Sequence, residues 1–129
     1  MQDIPILVIE DNETNMRLCT TLLSRRGYEV RGAINAREAL EALEQFHPRL
    51  ILMDLQLPGM DGYQLTRKLK SAPETRDIII VAFTAYAMKG DEEKALAAGC
   101  DGYISKPIDT TTFPARLAAY LAAKPASIS

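Results

Sequence analysis

The sequence from Leu50 to Gln64 reads LILMDLQLPGMDGYQ. It shows the succession of strand, turn and helix that recurs along the chain. Four apolar residues predict a buried strand, and Asp54 follows at its carboxyl end. The next Pro-Gly pair is typical of a turn, and Asp61 with Gln64 has the spacing of a helix capping box. A strand, an acidic residue, a turn and the start of a helix therefore follow one another in a short stretch.

The same order of strand and helix recurs along the chain. Other strands are predicted at residues 6–9, 29–33, 78–83 and near 103–104. Helices are predicted from about Thr14 to Arg26, after Asn35 in the N-x-x-E pattern with Glu38, from Asp61 to Pro73, after Gly90 to about Ala98, and from Thr110 with Pro114 in the first turn. Five alternations predict an α/β fold, a parallel sheet with helices on both faces. Residues 29–33 alternate polar and apolar side chains, which favours a strand at the edge of the sheet.

Length and composition limit the domain count. The chain has 129 residues, of which 47% are hydrophobic, and a formal net charge of −2. These values suit one globular domain, which we expect over residues 1–123, followed by a frayed tail at 124–129. The two cysteines, Cys19 and Cys100, have no partner at metal-ligand spacing, so we expect reduced thiols in the core.

Charge and hydropathy also exclude several classes of function. The longest apolar run, residues 78–83, is far shorter than the ~20 residues of a membrane helix. The amino terminus lacks a basic region followed by a long apolar one, so we expect a cytoplasmic protein. A slightly acidic chain without a basic stripe is not typical of direct nucleic-acid binding.

Polar residues follow the predicted strands where a doubly wound sheet binds its ligands, at the carboxyl ends of the strands. The residues in question are Glu10, Asp11, Asp54, Thr84 and Lys106. Each alone is more often a solvated or capping residue, but together they favour function. Three converging carboxylates need a cation, and oxygen ligands favour Mg²⁺, with Mn²⁺ as an alternative. With the cation bound, Asp54 could attack a phosphoryl donor, Lys106 could pair with Asp54 and then with the phosphoryl group, and Thr84 could donate a hydrogen bond.

These residues resemble the receiver domain of two-component response regulators over nearly the whole chain. The resemblance is carried by Glu10-Asp11, by the run from Ile51 to Gly62, by Thr84-Ala85 and by Lys106-Pro107. It implies a flavodoxin-like doubly wound (βα)5 fold with strand order 2-1-3-4-5. Within the family the chain is similar both to stand-alone cell-division receivers and to receivers of hybrid kinases, and the sequence does not separate the two.

The resemblance also implies roles for the site residues. Asp54 would accept a phosphoryl group from the phosphohistidine of a histidine kinase or a histidine phosphotransfer protein. Asp11 and Asp54 would ligate Mg²⁺ directly, Glu10 would do so through water, and the backbone carbonyl of Gln56 would complete the protein ligands. Glu10 stands where many members have aspartate, which lengthens one acidic arm and keeps its charge.

A conformational switch is implied as well. Thr84 would turn toward the phosphoryl group and Tyr103 would follow it inward, changing the face of the fourth helix, fifth strand and fifth helix for a downstream partner. Gln56 and Tyr86 would tune the phosphoryl lifetime, and the bulky Tyr86 favours slow hydrolysis. The protein would then be a phosphoacceptor with slow self-dephosphorylation and not an enzyme.

Two further details follow from the family pattern. The bond between Lys106 and Pro107 would be cis, and kinase choice would lie on the first helix. The residues of that helix region that border the site are Asn12, Asn15, Met16 and Leu18.

The residues fit three other functions less well. A haloacid-dehalogenase-like phosphatase also uses an aspartyl nucleophile but needs a second acid two residues later, where this chain has Gln56. A flavodoxin-type flavin module needs hydroxyl and backbone donors for a phosphate, which Glu10-Asp11 do not supply. A phosphorylation-independent interaction module with the receiver fold would typically have lost Asp54 or Lys106, and both are present.

Overall fold

Strands and helices alternate along the chain in this computed structural model, which describes residues 4–57, 59, 61–84, 90–106 and 108–123. The strands are β1 (Pro5–Ile9), β2 (Glu29–Ala33), β3 (Leu50–Asp54), β4 (Ile79–Thr84) and β5 (Gly102–Ser105). The helices are α1 (Glu13–Arg25), α2 (Ala36–Leu43), α3 (Gly62–Ser71), α4 (Asp91–Ala98) and α5 (Phe113–Ala123). Each predicted element is present in the predicted order.

The strands form one parallel sheet in the order β2-β1-β3-β4-β5, which confirms the predicted fold class. All residues of the central strands β3 and β4 are buried. Strand β2 lies at the edge, and only its last residue, Ala33, is buried. Its polar and apolar alternation therefore indicated its edge position correctly.

Successive side chains of the central strands enter two separate cores. Leu7, Ile51 and Ile80 belong to the core beneath α2, α3 and α4. Ile6 and Leu50 belong to the core on the other face, which also contains residues of α1 and α5. This division follows from the two-residue repeat of a strand, and it explains why these strands are apolar at consecutive positions.

Side-chain caps fix where α1, α2 and α3 begin, and at α1 Asn12 accepts from Asn15 N at 2.9 Å. At α3 the capping box is complete, because Asp61 accepts from Gln64 N and Gln64 accepts from Asp61 N. At α2 it is only half present. Asn35 accepts from Glu38 N at 2.8 Å, but Glu38 Oε1 accepts from the backbone of Ile34 at 3.0 Å and not from Asn35. The predicted reciprocal pair is thus displaced by one residue.

The start of α5 differs from the prediction. The helix begins at Phe113 and not at Thr110. The carboxylate of Asp109 accepts from the backbone N–H groups of Thr111 at 2.9 Å and of Thr112 at 3.3 Å, which holds these residues in a turn. The backbone N–H of Phe113 also donates to Asp109 O at 2.8 Å, so Asp109 caps the turn that leads into the helix. Pro114 then fits the first helical turn because it needs no hydrogen bond there.

Two predictions about burial and membrane association can also be compared with the structure. Cys19 and Cys100 are free and buried, as expected. None of the helices in the described part of the chain has the length and apolar character of a membrane span. The expected tail at 124–129 lies outside the described residues.

Candidate functional site

The three predicted carboxylates meet at the carboxyl ends of two neighbouring strands. Glu10 and Asp11 follow β1, and Asp54 ends β3, with Ile9 paired to Met53 in the parallel register. Carboxylate oxygens of all three residues lie within 4.8 Å of one another. Glu10 is completely buried and Asp54 is 3% exposed, whereas Asp11 is exposed. The cluster therefore consists of two buried carboxylates and one carboxylate exposed to solvent.

Lys106 joins the cluster from the end of β5. Its Nζ lies 2.6 Å from Glu10 Oε1 and 3.5 Å from Asp54 Oδ2. The sequence predicted a pair with Asp54, but the nearer contact is with Glu10. The backbone N–H of Lys106 donates to Thr84 O at 2.7 Å, which fixes the lysine beside β4. Its ammonium also lies 4.9 Å from the ring centroid of Phe83, a residue to which the sequence analysis gave no role.

The buried charges change one another's pKa values. Burial raises the pKa of Asp54, and its hydrogen bond with Glu10 raises it further, to about 7. Burial also disfavours ionised Glu10, but hydrogen bonding with Asp54 and the Lys106 ammonium outweigh it, so the pKa of Glu10 falls below its usual value. Burial opposes the charge on Lys106, yet its two carboxylate neighbours raise its pKa. Without a further cation, the pair Glu10 and Asp54 therefore tends to retain a proton.

Backbone groups fix the orientation of the two buried carboxylates. Gln56 N donates to Asp54 Oδ1 at 2.9 Å, and Asn12 N donates to Glu10 Oε2 at 3.2 Å. Gly62, the first residue of α3, donates to Leu55 O at 3.1 Å. A Cβ atom at position 62 would lie 2.5 Å from Asp54 O, so only glycine lets α3 begin this close to the acidic residue. The glycine after Asp61 was a visible signal of this approach, although no role had been assigned to it.

Thr84 and Tyr103 lie on the neighbouring strands β4 and β5, and their roles in the expected switch stay predictions. Thr84 ends β4, is 3% exposed and pairs with Ser105 in the register of β5. Tyr103 is half-buried against the core beneath α4. Burial, followed by the charges of Asp91 and Glu92, raises the pKa of its phenol, so the acidic first turn of α4 is near enough to act on it.

The remaining predicted positions are divided between described and undescribed residues. Gln56 follows Asp54 by two residues with an exposed side chain. Tyr86 and Pro107 lie outside the described residues. The expected effect of Tyr86 on phosphoryl lifetime and the expected cis bond before Pro107 therefore stay predictions.

Comparison with known proteins assigns the chain to a family. A sequence model of the response regulator receiver domain matches residues 6–118. The chain belongs to this family. The receiver domain is 45% identical over 116 residues to the polar-differentiation response regulator DivK of Brucella ovis, covering 90% of this chain and 94% of the relative. This similarity supports the cell-division type of receiver among the two types left open by the sequence.

Solved receiver structures have the same fold. A putative response regulator from Chloroflexus aurantiacus superposes with a TM-score of 0.88 at 29% identity, covering 94% of this chain and 99% of that one. The receiver domain of a sensor histidine kinase from Pseudomonas aeruginosa PAO1 superposes with a TM-score of 0.84 at 32% identity and the same coverage. That structure contains a magnesium ion coordinated in its active site cleft. The chain is thus a receiver domain of two-component signalling.

The acidic residues of this receiver domain could hold a metal ion. The three carboxylates lie within 4.8 Å of one another and Lys106 contacts two of them, Glu10 and Asp54, so carboxylates outnumber the ammonium at this site. Glu10 Oε1 is buried, and its near neighbour is the Lys106 ammonium at 2.6 Å, an ion pair without a hydrogen bond to this oxygen. Oxygen donors with this charge fit Mg²⁺, a hard cation that keeps part of its water shell.

Proposed function

We propose that this receiver domain accepts a phosphoryl group on Asp54 from the phosphohistidine of a histidine kinase or a histidine phosphotransfer protein. The observation that supports the proposal is the cluster of three carboxylates within 4.8 Å, with the Lys106 ammonium in contact with two of them. Glu10, Asp11, Asp54 and the backbone carbonyl of Gln56 would hold Mg²⁺. When bound, Mg²⁺ would offset the negative charge of the carboxylates and of the incoming phosphoryl group.

Asp54 is the nucleophile in this proposal. One carboxylate oxygen forms a bond to phosphorus, and the bond between phosphorus and the imidazole nitrogen of the donor breaks, with the electron pair staying on the imidazole. The bond from Gln56 N to Asp54 Oδ1 fixes the plane of the carboxylate. The other oxygen, Oδ2, faces Lys106 at 3.5 Å. A carboxylate held on one side and facing an ammonium is prepared for transfer with little reorganisation.

Lys106 and Thr84 stabilise the product. The Lys106 ammonium can exchange its contact with Glu10 for a phosphoryl oxygen, since the phosphoryl group brings more charge than a carboxylate. Thr84 donates its hydroxyl to the same group, and Tyr103 then moves inward beside it. The resulting change in the face of α4, β5 and α5 is a population shift between two packings.

The partners follow from the same proposal. The histidine kinase or phosphotransfer protein docks beside α1, where Asn12 and Asn15 border the site, and a downstream protein binds the face of α4, β5 and α5. Slow self-dephosphorylation ends the signal, tuned by Gln56 and Tyr86, so the domain acts as a phosphoacceptor and not as an enzyme that turns over a substrate. We place this exchange in the cytoplasm, without direct contact with nucleic acid.

Intact mass after incubation with acetyl phosphate tests the proposal. The wild-type chain is expected to gain one phosphoryl group in Mg²⁺ and none in EDTA, and Asp54→Asn is expected to gain none in either. Asp77→Asn is the matched control, because Asp77 is exposed and precedes β4, at the opposite end of the strand from Thr84. A wild-type chain that binds Mg²⁺ yet gains no mass would reject the phosphoacceptor and favour a phosphorylation-independent interaction module.

A further inference from the structure

The outer edge of β5 is covered by side chains of α5. Strand β5 is the last strand of the sheet in the described residues. The backbone N–H of Tyr103 donates to the hydroxyl of Tyr120 at 3.2 Å, and the same hydroxyl donates to Tyr103 O at 3.2 Å. Arg116 Nη2 donates to Tyr103 O at 3.1 Å. A phenol can accept and donate at once, so one side chain satisfies both backbone groups of a single edge residue.

Gly102 makes room for this contact. A Cβ atom at position 102 would collide with the ring of Tyr120, so the ring lies directly against the strand. The backbone of Gly102 has no positive φ angle, which means that the glycine is required by space and not by conformation. The pair Gly102 and Tyr120 thus forms one packing unit between β5 and α5.

This contact is at the strand that carries two of the proposed functional groups. Tyr103 is the expected switch residue, and Lys106 follows three residues later with its N–H bonded to Thr84 O. The N–H···O bond at 3.2 Å is at the long end of its usual range, and the O–H···O bond at 3.2 Å is beyond its usual range. Both bonds are therefore weak enough to break within a conformational equilibrium. A small movement of α5 would therefore change the restraint on Tyr103 and on the strand leading to Lys106.

We propose that Tyr120 is a positioning residue that holds β5, and with it Tyr103, in the arrangement of the unphosphorylated chain. The proposal rests on the phosphoacceptor function proposed above and adds a regulatory element to it. A protein that binds α5 and draws the Tyr120 hydroxyl off β5 favours the phosphorylated arrangement. By linkage, phosphorylation of Asp54 weakens the bond of Tyr120 to Tyr103 to the same degree.

The test uses Tyr120→Phe, which keeps the ring and removes only the hydroxyl. Backbone amide resonances of Thr84 and Tyr103 are recorded for each chain before and after acetyl phosphate with Mg²⁺, together with the amide exchange rate of Tyr103 and the intact mass. Tyr28→Phe is the matched control, because Tyr28 is also half-buried but precedes β2 at the opposite edge of the sheet. Gly102→Ala is a second variant, which displaces the ring instead of removing the hydroxyl.

Tyr120→Phe is expected to speed Tyr103 amide exchange and to move the Thr84 and Tyr103 resonances of the unphosphorylated chain part of the way to their phosphorylated positions. The switch equilibrium should change by roughly fivefold, as expected for the loss of one or two neutral hydrogen bonds. Gly102→Ala should do the same and Tyr28→Phe should not.

Two results overturn the inference, and they are distinguishable. If the wild-type chain gains phosphoryl mass but the resonances of Tyr120→Phe stay at the unphosphorylated positions, Tyr120 has only a structural role and this inference alone fails. If the wild-type chain gains no phosphoryl mass, the proposed function fails and the inference fails with it.

Discussion

Two lysines form partly buried ion pairs at opposite ends of β5: Lys70 of α3 pairs with Asp101, which precedes the strand, and Lys106 follows the strand and pairs with Glu10. Lys70 Nζ donates to Asp101 Oδ2 at 2.8 Å and to the backbone oxygens of Ile78 and Arg76. Asp101 Oδ2 also accepts from Ile80 N at 2.9 Å. Lys106 instead faces two carboxylates, and Glu10 Oε1 beside it has no hydrogen bond. The charged groups of the first cluster have several partners and hold the chain in place, whereas the second places two carboxylates against one ammonium, which suits a change of state.

The largest effect is expected at the satisfied cluster. Lys70→Met should lower the free energy of unfolding by about 3 kcal/mol, because it removes the ammonium that donates to Asp101 and to two backbone oxygens. Urea denaturation measures the loss, which Mg²⁺ should not restore. Lys68→Met, an exposed lysine on the same helix, is the control and should change stability by less than about 0.5 kcal/mol. An equal loss in both variants would show that the Lys70 contacts do not stabilise the fold.

Lys106→Met should lower the free energy of unfolding by a smaller amount, about 2 kcal/mol in the absence of metal. The loss is limited because Glu10 and Asp54 can retain a proton between them once the ammonium is gone, as the raised pKa of Asp54 already indicates. The loss of stability in Lys106→Met should become smaller when Mg²⁺ is added, because the ion supplies the missing positive charge. The loss in Lys70→Met should not change. Urea denaturation with Mg²⁺ and with EDTA distinguishes the two. Identical Mg²⁺ responses of the two variants would remove the contrast between the clusters.

Asp11→Asn separates metal binding from stability. At a Mg²⁺ concentration about five times its dissociation constant, the wild-type chain should gain about 1 kcal/mol of stability. Asp11 is exposed, so its replacement should leave the metal-free stability unchanged and remove most of this gain. Thermal unfolding with and without Mg²⁺ gives both values. A variant that keeps the full gain would show that Asp11 is not a ligand.

Each region also contains a buried thiol that reports on its packing. Burial raises the pKa of Cys19 to about 12, with Glu10 adding to the effect, and burial likewise raises the pKa of Cys100. At pH 8 both should remain protonated and react slowly with iodoacetamide in the folded chain. Lys70→Met should speed alkylation of Cys100, next to Asp101, more than that of Cys19. Peptide mass analysis checks this order.

The same pKa shift also predicts how stability changes with pH in the alkaline range. An unfolded thiol ionises near its ordinary pKa of about 8.5, whereas folded Cys19 stays neutral up to about 12. The contribution of the buried thiol is therefore complete below pH 8.5 and is lost as the pH rises toward 12. Cys19→Ala should flatten the decline of stability in this alkaline range. Denaturation at successive pH values measures the decline of the unfolding free energy with pH. The same decline in Cys19→Ala and in the wild-type chain would contradict this prediction.

The sequence predicted backbone features better than side-chain partners. The capping box at Asp61 and the edge position of β2 were readable because each depends on residues close together in the chain. The sequence did not predict that Glu10 is the nearer partner of Lys106. Asp54 and Glu10 both lie at strand ends, and only side-chain geometry decides which carboxylate is closer to the ammonium. The cluster of Lys70 and Asp101 was missed for the same reason, since it joins α3 to the segment before β5. At α5, the start of the helix depended on the local bonds of Asp109, which the apolar pattern does not contain.

The contact of Gly62 with the backbone of Asp54 limits which substitutions can be accepted at position 62 during evolution. A library that randomises position 62 samples nineteen side chains whose first carbon already overlaps the peptide of the acidic residue. Selection for signalling on such a library should return glycine alone, because any other residue forces this backbone to shift. Drift can therefore alter the neighbouring turn and helix surface, while this one position stays fixed as long as Asp54 is needed.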